Sequence, residues 1–561
     1  MSVNKSLRAA EKLTQLLASD SELFFSEDST GHYLASCEGY QRDGVWVIRL
    51  SGSADAQGQP HYLQEISAIL RLANALSGTE EAFTVHPIST GNNWGYGSAL
   101  AADEAAVILD LSRLTHIQVE DAELGLFSVG PGVTQQMLRE FLDRRQLPFM
   151  VPVTGAGPHC SLLANALERG YGITPYTDHF GAVNALKAFL PDGRRYHSSI
   201  SSIDSSANDL IDKTFKWKLG PYLDGLFTQS NLGIVTEVTL RLKKNPADFD
   251  SFYLQFADDK DFESAVLIAR ELLQRLEGTV GSINIMDKRR VLSMMVGNPN
   301  GAGNHQIMSA QQVEQLGKKH DVPAWTLIGT LYGEPEMVKA GRRIVNRLSA
   351  GKVKRRIYSN GWLVRLGKLA VSLVPGPLLA EPRKMLQSLD NGTAIMQGTP
   401  NQVALPLAFW RNPQRSADPA RAMDPARDNC GLLWYAPLVL FQPKSMRTFV
   451  EHVRATAPKY GIEPMITFTS LRHDTVDSTI PIVFDKSNAT AQQQAKDCLH
   501  DLVTKGLQQG FAPYRLNLEQ QTELIDHSAV CWQWVDSIKQ ATDPKQILSP
   551  GRYSLPKHKT K

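Results

Sequence analysis

Cysteine is scarce in this chain, and the few cysteines it has exclude two kinds of stabilising site. Only five of the 561 residues are cysteine, and they lie far apart with no Cys-x-x-Cys pair. An odd number of widely separated cysteines excludes a disulfide framework and argues against structural zinc. We therefore expect no metal site and a reducing compartment.

An excess of charge of one sign is also missing. The chain has 59 lysines and arginines against 57 acidic residues, which is a formal net charge of +2. Its basic residues are scattered, whereas binding to a phosphate backbone needs them collected on one face. Nucleic acid is therefore not an expected partner.

Long hydrophobic runs are lacking as well. No uninterrupted apolar stretch could span a bilayer, and residues 1–25 mix charged with apolar residues, unlike a secretory signal. We expect a cytoplasmic protein. The segment 353–381 is unusual because it alternates basic with large apolar residues. It predicts either a partly buried helix at a domain contact or an interfacial helix that touches a membrane or an apolar substrate.

The residues that are present predict a large α+β protein. A chain of 561 residues with 42% hydrophobic residues exceeds what one core usually supports. Helical patterns over 61–80 and 135–146 alternate with short β-branched runs. The run 233–242 alternates cleanly and predicts a half-exposed strand. After residue 250, helical blocks and strand-like runs alternate as in a second α+β domain.

A glycine-rich loop follows a predicted strand in "FTVHPISTGNNWGYGSAL" (83–100). Glycine lets backbone N–H groups approach an anion closely. The spacing matches neither the Rossmann nor the Walker pattern, so the loop alone fits a structural turn equally well. Two further glycine-bearing connections, 155–172 and 220–236, indicate a backbone that wraps around a large polar ligand.

Several long motifs occur in an order typical of one enzyme family. The chain contains "PISTGNNWGYG", "VGPGVT", "NALERGYGITPYTDHFG", "GPYLDGLFTQSNLGIVTEVTLRL", "GFAPYRLN" and "DPKQILSPGRY". In these stretches it resembles the vanillyl-alcohol oxidase family of flavoenzymes, above all the branch with para-cresol methylhydroxylase. The resemblance covers about 83–245 and 430–555 well and the middle weakly.

The resemblance implies an α+β architecture in which an FAD-binding domain of two α/β subdomains lies under an α+β cap. The implied boundaries are 1–247 for the first part of the FAD-binding domain, 248–509 for the cap and 510–561 for the return. The family also suggests a homodimer. The residues implied to bind FAD are Ser89, Thr90, Gly91, Asn92, Asn93, Gly157, Ser161, Gly170, Ser230, Asn231, Ile234 and Arg552, the last of these beside the flavin pyrimidine.

The same resemblance implies a grip on a phenolate oxygen. Tyr96, from the glycine-rich loop, would act together with Tyr514 and Arg515 of "FAPYRLN". Two hydroxyl donors and a guanidinium lower the pKa of a bound phenol, which then releases hydride from its para carbon to flavin N5. Without the family, the two tyrosines would be interpreted as packed aromatics and Arg515 as part of a structural ion pair.

Two departures from the family pattern matter. Leu432 stands where covalent members carry a flavin-linking histidine, so we expect noncovalent FAD, with a tyrosyl link through nearby Tyr435 as the alternative. The family's active-site aspartate has no evident counterpart. The acid–base group would then be His159, Asp178 or His179. Each of these side chains fits a role in stabilising its loop better, and His159 is the one of the three that we would test as a catalyst.

These features predict an FAD-dependent oxidoreductase that dehydrogenates a para-substituted phenol or a similarly acidic enol through a quinone-methide-like state. The segment 353–381 favours a bulky or apolar substrate. The electron acceptor would be O2 or an unknown carrier. Two alternatives stay open: an FAD-linked 2-hydroxy-acid dehydrogenase whose substrate carboxylate Arg515 would clamp, and a flavin-binding scaffold with little turnover.

Overall fold

The computed structural model describes residues 7–28, 31–40, 42–92, 94–103, 105–203, 209–359 and 390–556. Two of the expectations above fall outside these ranges. One is the predicted cofactor residue Asn93, and the other is the 360–381 part of the basic and apolar segment.

The first sheet has four strands in the order β1-β2-β4-β3, of which the last three run parallel. Its strands are β1 (Glu22–Ser26), β2 (Val45–Arg49), β3 (Thr84–Ile88) and β4 (Ala106–Asp110). Helix α1 (Ala10–Thr14) precedes the sheet, and α2 (Tyr62–Leu76) lies in the β2–β3 crossover. Apolar residues of α2 such as Ile66, Ile69 and Leu70 enter one core with Val85 and Leu109, as its helical spacing predicts.

The second sheet has five antiparallel strands in the order β5-β6-β10-β8-β9. These are β5 (Ile117–Asp121), β6 (Leu126–Val129), β8 (Val183–Phe189), β9 (Arg195–Tyr196) and β10 (Ile234–Arg241), with α3 (Gln135–Arg144), α4 (Leu162–Leu167) and α5 (Asp209–Thr214) between them. The predicted N-cap of α3 is confirmed, because the Thr134 side chain accepts a hydrogen bond from the Met137 N–H. A short pair, β7 (Phe149–Met150) with β11 (Lys243–Lys244), closes this part.

The prediction of a half-exposed strand over 233–242 is wrong. All of β10 is buried except Arg241, which is exposed, and Glu237, which is partly buried. β10 is a central strand between β6 and β8, and both of its faces are covered because its side chains enter two different cores. Val238 packs into the core of this sheet, while Ile234 on the same strand reaches the core of the first sheet.

The later part of the chain forms one antiparallel sheet of eight strands in the order β15-β12-β14-β13-β18-β19-β17-β21. Its strands are β12 (Asp248–Phe256), β13 (Asn284–Asp287), β14 (Trp325–Gly333), β15 (Arg355–Ser359), β17 (Pro437–Leu440), β18 (Thr467–Ser470), β19 (Thr475–Ser478) and β21 (Ala512–Pro513). A separate pair consists of β16 (Gly431–Tyr435) and β20 (Ile480–Phe484). The connecting helices are α6 (Phe262–Arg275), α7 (Lys288–Met295), α8 (Ala310–Lys319), α9 (Pro335–Ser349), α10 (Pro443–Thr456) and α11 (Ala489–Leu507).

The C-terminal residues return to the first two sheets. After α12 (Leu518–Leu524) and α13 (Val530–Thr542), Leu548 forms a bridge with Val85 of β3. The buried Lys539 Nζ donates to the carbonyl oxygens of Asn231 and Leu548. These bonds hold residues 549–554 beside the loop that follows β3. The sheets and the helices that connect them confirm the predicted α+β fold class.

Two negative findings hold for the described ranges. No helix there is both long and apolar enough to cross a membrane. The same residues contain no group of three or more His, Cys, Asp or Glu side chains that could hold a metal ion.

Candidate active site

The glycine-rich loop after β3 is pressed tightly against its surroundings on both sides of Tyr96. Gly95 and Gly97 have φ values of +86° and +69°, a region in which residues with a side chain are strained. A Cβ at Gly95 would overlap the Trp434 indole, and one at Gly97 would overlap the Tyr40 ring. These two glycines let the backbone pass between two aromatic rings and hold Tyr96 in one position.

The structure brings Tyr96 together with the pair Tyr514 and Arg515. The Arg515 guanidinium carbon lies 4.2 Å from the centroid of the Tyr96 ring, a cation–π arrangement. Tyr514 is within hydrogen-bonding reach of Tyr96. Its ring also packs edge-on against Tyr171, with centroids 5.2 Å apart. Residues more than 400 positions apart in the sequence thus form one aromatic cluster around a cation.

Burial raises the pKa values of the Tyr96 and Tyr514 hydroxyls above the ordinary value for tyrosine, and Arg515 only partly opposes this. Both phenols therefore stay protonated at neutral pH. A protonated hydroxyl donates a hydrogen bond, so the two tyrosines can stabilise an oxyanion placed between them.

Glu168, which immediately follows α4, holds two buried arginines together. Its Oε2 atom lies 3.0 Å from Nη2 of Arg515, and its Oε1 atom pairs with Nη2 of Arg552. Ser98 supports both cations, because its hydroxyl accepts from Arg515 and its carbonyl accepts from Arg552. Two guanidinium groups against one carboxylate leave the cluster with one excess positive charge. Sequence reasoning missed Glu168, although it stands inside the quoted motif "NALERGYG".

Asp477 supplies an acid that sequence reasoning did not find. It lies on β19, and its Oδ1 atom is buried with no hydrogen-bond partner among the described residues. Burial raises the pKa of its carboxyl to about 7. Its charge in turn raises the pKa values of Tyr96, Tyr171 and Tyr514, which places it beside the aromatic cluster. The only signal in the sequence was one acidic residue among the short strands of "TVDSTIPIVF".

The three residues proposed above for acid–base help have other surroundings. Burial lowers the pKa of His179 to about 4, and its Nδ1 atom meets the Asn165 side chain, so it is a neutral packing residue. Asp178 is exposed and accepts from the Phe180 N–H. His159 lines a cavity, where its carbonyl accepts from Nδ2 of Asn92.

A cavity of about 290 Å³ brings part of the predicted cofactor set together. Its walls are His32, Thr90, Asn92, Trp94, Thr134, Ala156, Gly157, Pro158, His159, Leu405, Ala422, Met423, Asp424 and Arg427. Gly157 and the neighbouring Gly91 have φ values of +86° and +71°, and a Cβ at Gly91 would overlap the His32 ring. The Thr90 hydroxyl, the Asn92 amide and the glycine backbone beside them could bind the phosphate groups of a nucleotide cofactor.

Other residues of the predicted cofactor set serve packing. Ser161 caps α4 and donates to the Pro131 carbonyl, and a Cβ at Gly170 would overlap the Asn165 amide. Nδ2 of Asn231 donates to the Ser549 carbonyl and to Oγ of Ser554, and Ile234 is a core side chain. Ser89 and Ser230 are partly buried.

Leu432 and Tyr435 lie on opposite faces of β16. Leu432 is buried in a cluster with Cys37, Leu405 and Cys430, on the side of the cavity. Tyr435 is fully buried in the core of the eight-stranded sheet, where its ring stacks on Phe449 with centroids 5.9 Å apart. The alternation of side chains along a strand therefore turns Tyr435 away from the cavity.

Comparison with known proteins agrees with this geometry. Residues 54–199 match the sequence family of the FAD binding domain. The chain is 28% identical over 507 residues to 1'-carboxy-chondrochloren decarboxylase of Chondromyces crocatus, covering 88% of this chain and 90% of that protein. It is 26% identical over 561 residues to the 4-cresol dehydrogenase [hydroxylating] flavoprotein subunit of Pseudomonas putida, covering 98% of this chain and 95% of that protein.

A crystal structure of p-cresol methylhydroxylase with substrate bound superimposes with a TM-score of 0.82 at 23% identity, covering 99% of this chain and 98% of that one. The predicted resemblance is thereby confirmed.

Replacing Gly95 with alanine tests the close packing around Tyr96. We expect Gly95→Ala to lower the free energy of unfolding by about 3 kcal/mol, because a strained backbone conformation adds to overlap with Trp434. Urea unfolding followed by circular dichroism measures the loss. Gly58→Ala is the matched control, since Gly58 has a φ of +77° but no atom within 4 Å of its added Cβ, and should lose only about 1 kcal/mol. Equal losses at the two positions would contradict the tight loop.

Proposed function

We propose that this FAD-dependent oxidoreductase of the para-cresol methylhydroxylase family dehydrogenates a para-substituted phenol. FAD, when bound, accepts the hydride that leaves the para side chain of the substrate. The observation that carries the proposal is the convergence of Tyr96, Tyr514 and Arg515 in a buried, cationic cluster. That grouping suits a phenolate oxygen, which two hydroxyls and one guanidinium can stabilise together.

The polar groups of the site favour a phenol over a 2-hydroxy acid. Nη2 of Arg515 is already occupied by Glu168 and Ser98, so the guanidinium lacks the free pair of N–H groups that would clamp both oxygens of a carboxylate. Its buried Nε–H, however, has no partner among the described residues and is free to donate one hydrogen bond. A phenolate oxygen needs a few convergent donors, and Tyr96, Tyr514 and this N–H can supply them.

Asp477 is our candidate for the acid–base group of the reaction, in addition to the residues that bind the phenolate. A carboxyl whose pKa is about 7 exists in both protonation states at neutral pH, as general acid–base catalysis requires. Its Oδ1 atom is buried and unpaired among the described residues, and its charge raises the pKa values of Tyr96 and Tyr514. In this role Asp477 takes over the part that the sequence suggested for His159.

We further propose that FAD is held without a covalent bond and that residues 1–247 with 510–561 form its binding domain beneath a cap of residues 248–509. Five described residues of 248–509 line the cavity: Leu405, Ala422, Met423, Asp424 and Arg427. None of these five side chains carries an imidazole, a thiol or a phenol that could attach to a flavin.

The relative named as a decarboxylase favours a second candidate reaction. If the substrate side chain carries a carboxylate beside the oxidised carbon, loss of CO2 would restore the aromatic ring after hydride transfer. The same phenolate-binding residues would serve both reactions, because both pass through a quinone-methide-like state. Release of labelled CO2 from a carboxylated 4-alkylphenol distinguishes this candidate from simple dehydrogenation.

Acid precipitation tests the noncovalent cofactor. We expect the yellow colour of the purified protein to move entirely into the supernatant, because Leu432 replaces the linking residue and Tyr435 lies in the core. The absorbance spectra of pellet and supernatant measure the partition. Colour that stays in the pellet would contradict the proposal and make His159 and His32, the two histidines of the cavity wall, the next residues to replace.

Turnover of 4-alkylphenols tests the phenolate site. We expect Tyr96→Phe to reduce kcat/KM by about 100-fold and Arg515→Met by more, because each removes a donor to a developing oxyanion. Dye reduction and oxygen consumption, followed in parallel, measure the rate and identify the acceptor. A series of lengthening 4-alkyl groups tests whether the enzyme prefers bulky substrates.

The same experiment contains its controls. Tyr358→Phe makes the identical change on β15, where the hydroxyl donates to Asn346, and should leave kcat/KM unchanged. Ring-fluorinated phenols, which are more acidic, should lose less rate in Tyr96→Phe, because they need less help to ionise. Variants as active as the wild type, or active only on 2-hydroxy acids, would refute the phenolate site.

The pH profile tests Asp477. We expect kcat/KM to rise with pH through about 7, since the carboxylate is the form that accepts a proton, and to lose this limb in Asp477→Asn. The fall at pH 8 should be about 100-fold. Glu38→Gln is the control, because burial also raises the pKa of Glu38 to about 7 and its removal should keep the limb. If the limb is lost in Glu38→Gln and kept in Asp477→Asn, the acid–base role belongs to Glu38 and the assignment of Asp477 is wrong.

A further inference from the structure

A second cavity lies between helix α1, helix α2 and the β8–β9 hairpin. Its volume is about 1040 Å³, and it shares no lining residue with the cavity that contains Thr90 and His159. The residues of the aromatic cluster, Tyr96, Tyr514 and Arg515, do not line it either. The cavity is therefore a separate site, and the proposed reaction leaves it without a role.

The cavity follows α2 over most of its length. Residues of this helix from Leu63 to Ala75 line it, a distance of about 18 Å along the helix axis. The hairpin is tied to the same helix, because Oγ of Ser67 donates to the Gly193 carbonyl at 2.7 Å and Nδ2 of Asn74 donates to the Pro191 carbonyl at 2.8 Å. These bonds hold the hairpin side of the cavity in place.

The charged residues that line the cavity are all basic. They are Lys12, Arg71, Arg194 and Arg195, and none of the 14 lining residues is an aspartate or a glutamate. The whole chain is balanced, with 59 basic against 57 acidic residues, so a lining with cations alone departs from its average. The lining thus gives the cavity a positive potential that attracts anions.

Two of these cations have no anionic partner. Lys12 and Arg194 each form an ion pair with an acid outside the lining. Arg71 and Arg195 form no ion pair within the described ranges. The Arg195 guanidinium carbon lies 5.8 Å from the centroid of the Phe189 ring, close enough for cation–π attraction. One unpaired guanidinium thus comes from α2 and the other from β9.

Apolar side chains accompany the two unpaired arginines. Leu16, Leu63 and Leu72 line the cavity, and each is partly buried. Leu63 and Leu72 pack against the core of the first sheet, which holds their exposed parts in place. A ligand that covers them gains about 25 cal/mol for every Å² of apolar surface removed from water. The cavity therefore offers apolar contacts together with a pair of cations.

We propose that this cavity binds a small amphipathic anion, in which a carboxylate or phosphate head group is attached to an alkyl or aryl body. Guanidinium groups bind both kinds of head group through pairs of N–H donors, and Arg71 and Arg195 supply these donors here. The apolar body would lie along α2 against Leu63 and Leu72. The inference goes beyond the proposed reaction and does not depend on it.

The size of the cavity favours a small molecule over a helix of a partner protein. A helix about 10 Å wide and 18 Å long occupies on the order of 1400 Å³, whereas the cavity holds about 1040 Å³. Binding sites for small molecules reach roughly 1000 Å³. An acidic helix therefore fits the cavity less well than an alkyl or aryl anion does.

Isothermal titration calorimetry of the flavin-loaded enzyme tests the site, with dodecanoate and dodecyl phosphate as probes below their micelle-forming concentrations. We expect both anions to bind, and dodecyltrimethylammonium, which joins the same alkyl body to a cationic head, to bind about tenfold more weakly or worse. Arg71→Glu and Arg195→Glu should each weaken the binding of both anions by about tenfold or more. Whichever anion binds more tightly identifies the preferred head group, and either result supports the site.

Arg343→Glu is the matched control. Arg343 is exposed on α9, outside the cavity, so its replacement should leave the affinity for both anions unchanged. Circular dichroism and flavin content show that each variant is folded, and Arg71→Gln and Arg195→Gln replace the charge-reversed variants if those fail to fold.

Three results would overturn the inference: no binding of either anion, equal affinity for the alkyl cation, or an affinity that survives both arginine substitutions. Displacement of the anions by a 4-alkylphenol would also overturn it, because it would place them in the cluster around Tyr96. Binding of an acidic amphipathic peptide, without binding of either small anion, would overturn it in favour of a protein partner.

Discussion

The carboxylate of Glu168 is the interaction on which the site depends. It holds Arg515 and Arg552 together, two buried cations that would otherwise repel each other across a region of low dielectric. Each partner comes from a different part of the chain, one before the last helices and one after them. Without the carboxylate, the two cations would repel each other where the loop at Ser98 meets the C-terminal residues. The contact also fixes Arg515, which lies on the ring of Tyr96 and is adjacent in sequence to Tyr514.

Exclusion of water then gives each group around the cluster its chemical character. Burial keeps Tyr96 and Tyr514 protonated, so that they donate, and raises the pKa of Asp477 to about 7, so that it can exchange a proton near neutral pH. The same desolvation would strengthen the attraction between the cluster's remaining positive charge and a bound phenolate. The hydroxyl donors and the titrating carboxyl thus result from one cause, which is burial. The site combines parts of both halves of the chain, because Asp477 lies on the eight-stranded sheet and Tyr96 follows the first one.

Local patterns in the sequence predicted much of the fold and part of the site. The helical spacing of 61–80, the cap at Thr134 and the α+β alternation depend on neighbouring residues, and they are confirmed. Tyr96, Tyr514 and Arg515 could be named because they stand inside long motifs. Glu168 stands inside such a motif too, but an acid at the end of a helix has many uses, and only its two distant partners distinguish it. Asp477 had no motif, since its importance lies in what surrounds it.

The sequence by itself determined the class of fold, the glycines at 95 and 97 and the identity of the residues that we propose to bind a phenolate. These features come from backbone conformation and short-range periodicity, which a linear pattern contains. Only the tertiary structure decided that β10 is covered on both faces, that Nδ2 of Asn231 binds the C-terminal residues and that Ile234 is a core side chain. Burial and ion pairing are properties of contacts between distant segments. The raised pKa of Asp477 therefore arises only once the chain has folded.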